Sequence, residues 1–405
     1  MNLNFNIGKN TNQINDTESK EENYEKVTTT STNNNNKNND MKKRMVKFML
    51  IVCGGIIIIL LIALLMSAFT KKEYSYTEIE EVLKEAAESY FEDHPDSLPE
   101  KEDQIVEIDS SNLVAEGKME TLSEYTGEDK TCSATVQVEK VSSEYLYTPY
   151  LNCGNDYTTE QLYQKVLSQN QIVISGYGLY NEGGIYRFRG EKVNNYVKLD
   201  KVLWRIVKIT ADNNIVLISK DDVDYPTVWD DRYNKEFGYT TGINNYSSSR
   251  IKETLESLYN KKSSSESAFL SSNDKKNIIS HNACTGKRTL AQTGTDNAIE
   301  CSSVEKAKVS LLTLSDYMAS SIDADCVNAE SAACQNYNYL ATDYDWWLIT
   351  AVNGVSNESL SVNNHGEIEI LNSSNSSGIR PVIYLNSKTL VKDGKGTKSK
   401  PYTIK

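Results

Sequence analysis

Histidine is scarce in this chain, which has three among its 405 residues: His94, His281 and His365. Histidine is the commonest metal ligand and the side chain that most readily exchanges a proton near neutral pH. The sequence also has no C-x-x-C pair, on which many zinc sites are built, and no G-x-S-x-G turn of serine hydrolases. These absences disfavour a metal site and a serine triad. We expect a protein without a metal, a cofactor or catalytic residues.

Charged side chains are absent from residues 48–69, a run of twenty-two residues. A helix of that length rises about 33 Å, enough to cross a hydrocarbon core of about 30 Å. More cations precede the run than follow it: Lys42, Lys43, Arg44 and Lys47 before it, and Lys71 and Lys72 after it. A cleaved signal peptide is the alternative, but its apolar stretch would be shorter and nearer the start of the chain. We predict an uncleaved single span of the cell membrane, with a cytoplasmic amino terminus and an extracellular remainder.

Aliphatic residues are rare in the first forty residues, which contain thirteen asparagines. Such a segment cannot bury enough apolar surface to offset its chain entropy. We predict a disordered cytoplasmic tail over residues 1–47. The tail carries eight Lys or Arg and six Asp or Glu, which leaves a net charge of −15 for the rest of a chain that carries −13 in all. Because an acidic exterior repels phosphate backbones, we expect no nucleic acid partner.

Six of the seven cysteines follow the predicted span, and Cys53 lies within it. An even number of cysteines outside the cell favours disulfides, although six cysteines allow fifteen connectivities. Pairing of neighbours along the chain is the simplest choice: Cys132 with Cys153, Cys284 with Cys301, and Cys326 with Cys334. A catalytic role for the last pair is the alternative. It is disfavoured because the nearby Asp323, Asp325 and Glu330 would not stabilise a thiolate.

The first module after the span is predicted to combine one helix with two strands. Apolar residues recur about every 3.6 positions in residues 77–91, and Thr77 and Glu80 form a T-x-x-E capping box. Alternating residues then predict strands at 132–141 and 145–153, each next to a cysteine. The pattern is that of a small α+β unit.

This arrangement resembles a known type of bacterial surface protein. An apolar helix continued by an amphipathic one, a Leu-Val-x-x-Gly turn and a strand pair ending in Tyr-Thr-Pro-Tyr-Leu-Asn-Cys resemble the heads of pilins and pseudopilins. The resemblance covers residues 48–158 and implies a pilin-like module over residues 70–158. Pilins carry a glutamate within the apolar helix, and residues 48–69 have none. We therefore interpret the module as a stalk and not as a polymerising subunit.

A linker is predicted over residues 159–184, where a short helical segment precedes closely spaced glycines. From Ile185 the pattern is β-rich, and strands 202–210 and 214–220 predict a hairpin. Ser249 is placed to cap a helix. Later strands are predicted at residues 308–314, 345–350, 359–363, 367–371 and 378–385, with a turn at 364–366.

The last 220 residues, approximately, resemble a broad family of bacterial extracellular domains of unknown function. Six motifs occur in the family's order: Tyr186-Arg-Phe-Arg-Gly190, Asn194-Asn-Tyr-Val197, Leu203-Trp-Arg-Ile-Val207, Trp346-Trp-Leu-Ile-Thr350, Gly378-Ile-Arg-Pro-Val-Ile-Tyr-Leu385 and Asp393-Gly-Lys-Gly-Thr-Lys-Ser-Lys-Pro-Tyr402. The last strands are similar to the closing strands of C-type-lectin-like and formylglycine-generating-enzyme-like folds. The resemblance implies a lectin-like extracellular domain over residues 185–405, with long loops on a small twisted sheet. The fold class predicted for the whole chain is α+β.

Tyrosine is abundant, with 25 residues against seven phenylalanines. Aromatic rings with a polar group commonly stack on sugars or peptides, and Tyr225, Tyr233 and Tyr344 lie near tryptophans in the sequence. The predicted ligand-binding residues are two stacking rings and two nearby carboxamides: Trp229, Trp347, Asn363 and Asn364. Large aromatic residues are mostly buried, which favours the alternative that Trp204 and either Trp346 or Trp347 are core residues. We likewise interpret Arg380 as a buried hydrogen-bond donor and not as a ligand contact.

Two aspartate pairs are the remaining candidates for a site: Asp221 with Asp222, and Asp230 with Asp231. Surface loops favour aspartate, so we interpret them as solvated residues, with calcium ligation as the alternative. The predicted function is non-catalytic recognition of an extracellular ligand, either a glycan or a protein. A structural or pilus-associated surface component is the second hypothesis, and an extracellular enzyme is the third.

Overall fold

The computed structural model describes residues 35–69, 73–102, 104–141, 143–223, 226–235, 240–261 and 269–405. The chain divides into two compact units, Met1–Glu73 and Tyr74–Lys405. The helices of the described residues are α1 (Asn35–Phe69), α2 (Tyr76–Asp93), α3 (Ser110–Ala115), α4 (Leu122–Thr126), α5 (Leu162–Gln169), α6 (Arg250–Asn260), α7 (Ser272–Lys276) and α8 (Leu314–Ala319). The strands are β1 (Ile105–Asp109), β2 (Ser133–Val141), β3 (Glu144–Asn152), β4 (Gly178–Glu182), β5 (Ile185–Arg189), β6 (Tyr196–Leu199), β7 (Val202–Ile209), β8 (Ile215–Ser219), β9 (Thr227–Val228), β10 (Tyr233–Asn234), β11 (Thr240–Thr241), β12 (Ile278–Ile279), β13 (His281–Cys284), β14 (Val304–Ala307), β15 (Trp346–Ala351), β16 (Glu358–Val362), β17 (Ile368–Asn372), β18 (Ser376–Ser377), β19 (Val382–Leu385), β20 (Val391–Asp393) and β21 (Tyr402–Ile404).

The first unit contains α1, in which Met41–Ile62 has a mean hydropathy of 2.8 and is 0% buried. By length and composition this helix is a candidate membrane span, and a signal sequence would share these properties. The helix begins at Asn35, so the prediction of a disordered tail is wrong for residues 35–47. The lysines, methionines and arginine that precede the apolar run are good helix formers, so the helix extends upstream of it. Residues 1–34 of the predicted tail lie outside the described residues.

The second unit contains a smaller module built on α2 and a three-stranded antiparallel sheet in the order β1-β2-β3. Side chains such as Ile79 and Phe91 of α2 pack against Val136 and Leu151 of the sheet and form a separate small core. The predicted helix and strand pair are confirmed. Strand β1 was not predicted from the sequence, and it pairs with β2 over five residues.

The amino-terminal cap of α2 differs from the prediction. The Ser75 hydroxyl accepts the backbone N–H of Glu78 (3.3 Å), whose carboxylate accepts the N–H of Ser75 (2.8 Å). The predicted box of Thr77 and Glu80 is therefore wrong, because Ser75 already satisfies the free N–H groups of the first turn. Glu80 is buried and accepts hydrogen bonds from Lys405 (2.5 Å) and from a tyrosine hydroxyl.

The larger module is built on a nine-stranded sheet with the main order β12-β19-β8-β7-β6-β21-β20. Strand β5 also pairs with β7, and β4 pairs with β5. The predicted hairpin of β7 and β8 is confirmed, and both strands are almost entirely apolar and buried because the sheet is covered on both faces. A second antiparallel sheet, β15-β16-β17, contributes to the same core.

The segment predicted as a linker, residues 159–184, packs with the larger module. Leu162 and Val166 of α5 belong to its core, and β4 extends its main sheet. The helix predicted after Ser249 is confirmed as α6, whose first turn is capped by the Ser249 hydroxyl accepting the N–H of Lys252 (3.3 Å).

Two predicted strands are corrected. Residues 308–314 bridge to the sheet only at Ser310, because the Thr313 hydroxyl caps the Asp316 N–H (3.1 Å) and starts α8. Of residues 378–385, the last four form β19, since Pro381 has no N–H to continue the ladder. The predicted strands that became β15, β16 and β17 are confirmed, and so is the turn at 364–366.

All three predicted disulfides are present: Cys132–Cys153, Cys284–Cys301 and Cys326–Cys334. Cys53 is the free cysteine of the described residues, which include all seven. Helices and sheets are both well represented, so the α+β class is confirmed.

Candidate functional site

The two tryptophans predicted to contact a ligand are fully buried. Trp229 and Trp347 are 0% exposed, and their indole N–H groups donate to the carbonyl oxygens of Leu348 (3.2 Å) and Thr227 (2.8 Å). All six residues of β15 are buried, so alternation along this strand brings neither Trp346 nor Trp347 to the surface. This corrects the prediction that Trp229 and Trp347 stack on a ligand, because both rings are core residues.

The two predicted asparagines lie in the turn between β16 and β17. The Asn363 carboxamide oxygen accepts the N–H groups of His365 and Glu367, each at 2.9 Å, so this side chain holds the turn. Asn364 is exposed and borders a pocket of about 420 Å³. Of the four predicted ligand-binding residues, the structure brings Asn364 to this pocket and places the other three elsewhere. Tyr225 lies outside the described residues.

The pocket lies where strands of the main sheet meet the segment that leads into β15. Its lining includes Tyr196 on β6, Arg205 on β7 and Arg380 just before β19, together with Tyr339 and Tyr344 from that segment. These residues come from three separate parts of the sequence. They meet because β7 pairs with β6 and β8, and β8 pairs with β19.

Arg205 lies in the floor of the pocket and is 6% exposed. It pairs across the sheet with Tyr196, and its guanidinium carbon lies 3.9 Å from the Tyr196 ring centroid and 4.7 Å from that of Tyr339. Its Nε donates to the Asn195 carboxamide oxygen (2.5 Å), and its Nη1 donates to the Tyr196 hydroxyl (2.9 Å). Burial lowers the pKa of Arg205 to about 10, and Arg380 contributes to the lowering by repulsion. The group is still a cation at neutral pH.

Arg380 is 1% exposed. Its Nε donates to the carbonyl oxygen of Ser219 (3.0 Å) and its Nη1 to that of Leu340 (2.8 Å). Its guanidinium carbon lies 4.5 Å from the Trp346 ring centroid. Burial lowers the pKa of Arg380 as well. The interpretation of Arg380 as a buried hydrogen-bond donor is confirmed, although the residue also lines the pocket.

Neither arginine of the pocket has a carboxylate partner among the described residues. Each donates through Nε and Nη1 to neutral acceptors, and the Nη2 of each has no hydrogen-bond acceptor in the described part of the chain. The acidic side chains of the lining are exposed: Asp221, which pairs with Lys220, and Asp343. The pocket floor therefore carries two positive charges that no buried carboxylate neutralises.

Other buried cations of the larger module are paired. A β-bulge in β7 places Lys208 on the same face as Arg205, where the Lys208 ammonium contacts both carboxylate oxygens of Asp316 at 2.7 and 3.0 Å. Arg187 donates to the same carboxylate at 2.7 Å. Burial alone would raise the pKa of Asp316, but these two cations lower it. The Arg187 Nε also donates to the Glu182 carboxylate at 3.1 Å, so two cations face two carboxylates. The charges of this cluster balance, and we interpret it as structural.

The other chemical candidates are also engaged in structure. Three of the four paired aspartates form ion pairs: Asp221 with Lys220, Asp230 with Arg232, and Asp231 with Arg250. Within the described ranges, no group of three or more His, Cys, Asp or Glu side chains could hold a metal ion. Cys326 and Cys334 form a disulfide, which leaves no thiolate there.

No protein-family model, curated protein or solved structure matches this chain. The fold and the pocket define an α+β protein with three disulfides, one candidate membrane helix and a pocket over two buried arginines. The comparisons add nothing to the likeness to pilin heads and to lectin-like domains, which was inferred from the sequence motifs.

Sequence reasoning missed Arg205 and gave Arg380 a structural role alone, although a signal for a site was present at both residues. Arg205 interrupts the apolar run of β7, and Arg380 stands between Ile379 and Pro381 in another apolar segment. A cation within a buried apolar segment needs a specific set of acceptors, so such a position is a candidate site. No comparable signal marks Tyr339, whose place in the pocket depends on a loop conformation.

Proposed function

We propose that this chain is a single-pass surface protein whose larger module recognises an extracellular ligand in the Arg205–Arg380 pocket without catalysing a reaction. The amino terminus is cytoplasmic and the unit Tyr74–Lys405 is extracellular. Support comes from the candidate membrane helix and from three disulfides, which persist in oxidising compartments. The observation that carries the proposal is the pocket itself, a concave site with converging polar groups of a size typical for small ligands.

We further propose a lectin-like fold for the larger module and a pilin-like fold for the smaller one. For the smaller module, the support is a long helix packed on an antiparallel sheet whose adjacent strands β2 and β3 are joined near one end by Cys132–Cys153. For the larger module, the support is its motifs and the small sheet of β15, β16 and β17 between long loops.

The recognition proposal is tested with a variant whose pocket is filled by a larger side chain. The full chain in lipid nanodiscs is screened against immobilised glycans and cell-surface proteins, together with the variant Asn364→Trp. Asn364 is exposed and its side chain borders the pocket, so a tryptophan there fills the mouth without disturbing the core. We expect the variant to lose at least tenfold in affinity for the captured ligand.

The matched control is His365→Trp, an exposed neighbour in the same turn that does not line the pocket. It should bind as the unmodified chain does. Equal binding by all three proteins would place the ligand elsewhere, and capture of no ligand from either library would contradict the recognition proposal.

A structural or pilus-associated role is the second candidate. Ile105, Val141 and Leu146 are about half exposed and lie at one end of the smaller sheet, where Ile105 and Leu146 flank the same residue of β2. Exposed apolar side chains of this kind suit packing against another subunit. An assembly role would depend on this surface, so Asn364→Trp would leave it unchanged.

A further inference from the structure

The two pocket arginines differ from the other buried arginines of the larger module, each of which forms an ion pair with a buried carboxylate. Arg288 is completely buried and contacts the equally buried Glu300 at 3.3 Å. Arg187 contacts Asp316 at 2.7 Å. Arg205 and Arg380 form no such pair within the part of the chain that the structure describes. Burying a charge without a counter-charge is costly, so a fold that keeps two such charges side by side is suited to an anion from outside.

The free edges of the two guanidinium groups are open to the pocket. Nη2 of Arg205 and Nη2 of Arg380 have no acceptor among the described residues. Neither atom is one of the fully buried nitrogens that lack a partner, so both keep some solvent exposure. Both residues line the pocket, so these N–H groups are the donors that a ligand meets there. Contacts with Tyr196, Tyr339 and Trp346 fix the two guanidinium planes, which reduces the entropy lost when a ligand binds.

We propose that this pocket binds the carboxylate of an acidic sugar, with Arg205 and Arg380 as the carboxylate-binding residues. The proposal rests on the function proposed above and names its ligand class. Charge-assisted hydrogen bonds from arginine to a carboxylate are short and strong, and the planar guanidinium matches the planar carboxylate.

A monoanion fits the pocket better than a phosphate dianion. The lining contains three cations, Arg205, Arg380 and Lys220, and two carboxylates, Asp221 and Asp343. One negative charge therefore neutralises the site. A second charge on the ligand would be repelled by the two exposed aspartates at the mouth.

A sugar fits better than a peptide. Peptides commonly bind by adding a strand to a free sheet edge, but β7 lies between β6 and β8 and has no free edge at the pocket. The lining instead offers the rings of Tyr196 and Tyr344 and the polar side chains of Thr342 and Asn364. Rings that present an apolar face, surrounded by donors and acceptors, suit a sugar with several hydroxyl groups.

The test compares each acid with its neutral form. The full chain in nanodiscs of zwitterionic lipid is titrated calorimetrically with methyl glucuronide, methyl galacturonide and N-acetylneuraminic acid. The methyl ester of each sugar is the control, since it keeps the hydroxyl groups and removes the charge. Inorganic phosphate and a sulfated monosaccharide are included as other anions. We expect at least one acid to bind at least tenfold more tightly than its ester and than either other anion.

Two variants connect binding to the pocket. Arg205→Met removes one cation and should weaken binding of the acid at least tenfold, while binding of the ester changes little. Asn364→Trp should abolish binding while both buried arginines stay in place, so the test remains decisive if Arg205→Met fails to fold. His365→Trp is the control and should bind as the unmodified chain does.

The contrary outcomes are distinct. If an acid and its ester bind equally and Asn364→Trp abolishes both, the carboxylate proposal is overturned and the recognition function stands. Tighter binding of phosphate or the sulfated sugar would overturn the choice of a carboxylate. Binding that neither variant weakens would show another site. If none of these probes binds, the ligand class is wrong, and the library screen with Asn364→Trp decides separately whether the pocket recognises anything.

Discussion

His281 is a buried histidine that forms no ion pair among the residues the structure describes. Its ring stacks on Tyr384 with centroids 4.0 Å apart, and its Nε2 lies 2.9 Å from the Ser310 hydroxyl. Its Nδ1 has no partner among the described residues. Burial lowers the pKa of His281 to about 4. We interpret it as a core residue held in its neutral form, which makes it sensitive to acid.

This lowered pKa predicts a loss of stability between pH 7 and pH 5. The unfolded chain takes up a proton near pH 6.5 and the folded chain near pH 4, so the unfolded state is favoured as the pH falls through this window. The expected loss in unfolding free energy is about 2 kcal/mol at pH 5. The loss is measured by denaturant unfolding of the unmodified chain and of the variant His281→Gln, each at pH 7 and at pH 5.

The stability difference between the two proteins should shrink by that amount at pH 5. His365→Gln is the control, since His365 is exposed in a turn, and it should follow the unmodified chain at both pH values. A difference that stays constant with pH would mean that His281 does not titrate in this way.

At the scale of elements, the burial of β15 differs from the pattern expected of a strand with one exposed face. Alternation along a strand predicts that one of Trp346 and Trp347 faces outward. Instead, Trp346 lies edge-on to Tyr317 and under Arg380, while the Trp347 indole N–H donates to Thr227. Other elements cover both faces of the strand, so both rings are core residues.

We therefore predict that Trp346→Ala and Trp347→Ala each cost about 3–5 kcal/mol of unfolding free energy. The loss is measured by denaturant unfolding of the full chain, with protease susceptibility as the signal that reports unfolding. Tyr337→Ala, at a residue that is 52% exposed, should change the free energy by less than about 0.5 kcal/mol. A small effect at either tryptophan would mean that the corresponding face of β15 is open.

At the scale of the whole molecule, contacts across the sequence hold the smaller and larger modules in one compact unit. Lys405 near the end of β21 reaches the buried Glu80 of α2, and Lys388 contacts the Glu139 carboxylate at 2.6 Å. These contacts explain why residues 74–405 form one unit although they contain two hydrophobic cores.

Topology and disulfides together give a prediction for intact cells. With a cytoplasmic amino terminus, added protease should digest residues after the span and spare a tag at residue 1. The denatured but unreduced chain should expose Cys53 alone to an alkylating reagent, whereas reduction should expose all seven cysteines. Protection of the carboxyl-terminal unit, or alkylation of any other cysteine before reduction, would contradict the proposed orientation.

Local sequence signals determined much of this protein by themselves. The apolar run, the Ser249 cap, the hairpin of β7 and β8 and the three disulfides were predictable because each depends on residues close together in the chain. The tertiary structure alone decided the partner of Glu80, the burial of both faces of β15 and the parallel pairing of β6 with β21. It also decided the pocket, since Arg205, Tyr339 and Arg380 are brought together by strand order and a loop. The periodicity of apolar residues indicates which face of a helix or strand can be buried. Long-range packing decides which faces are covered and which charged side chains form ion pairs.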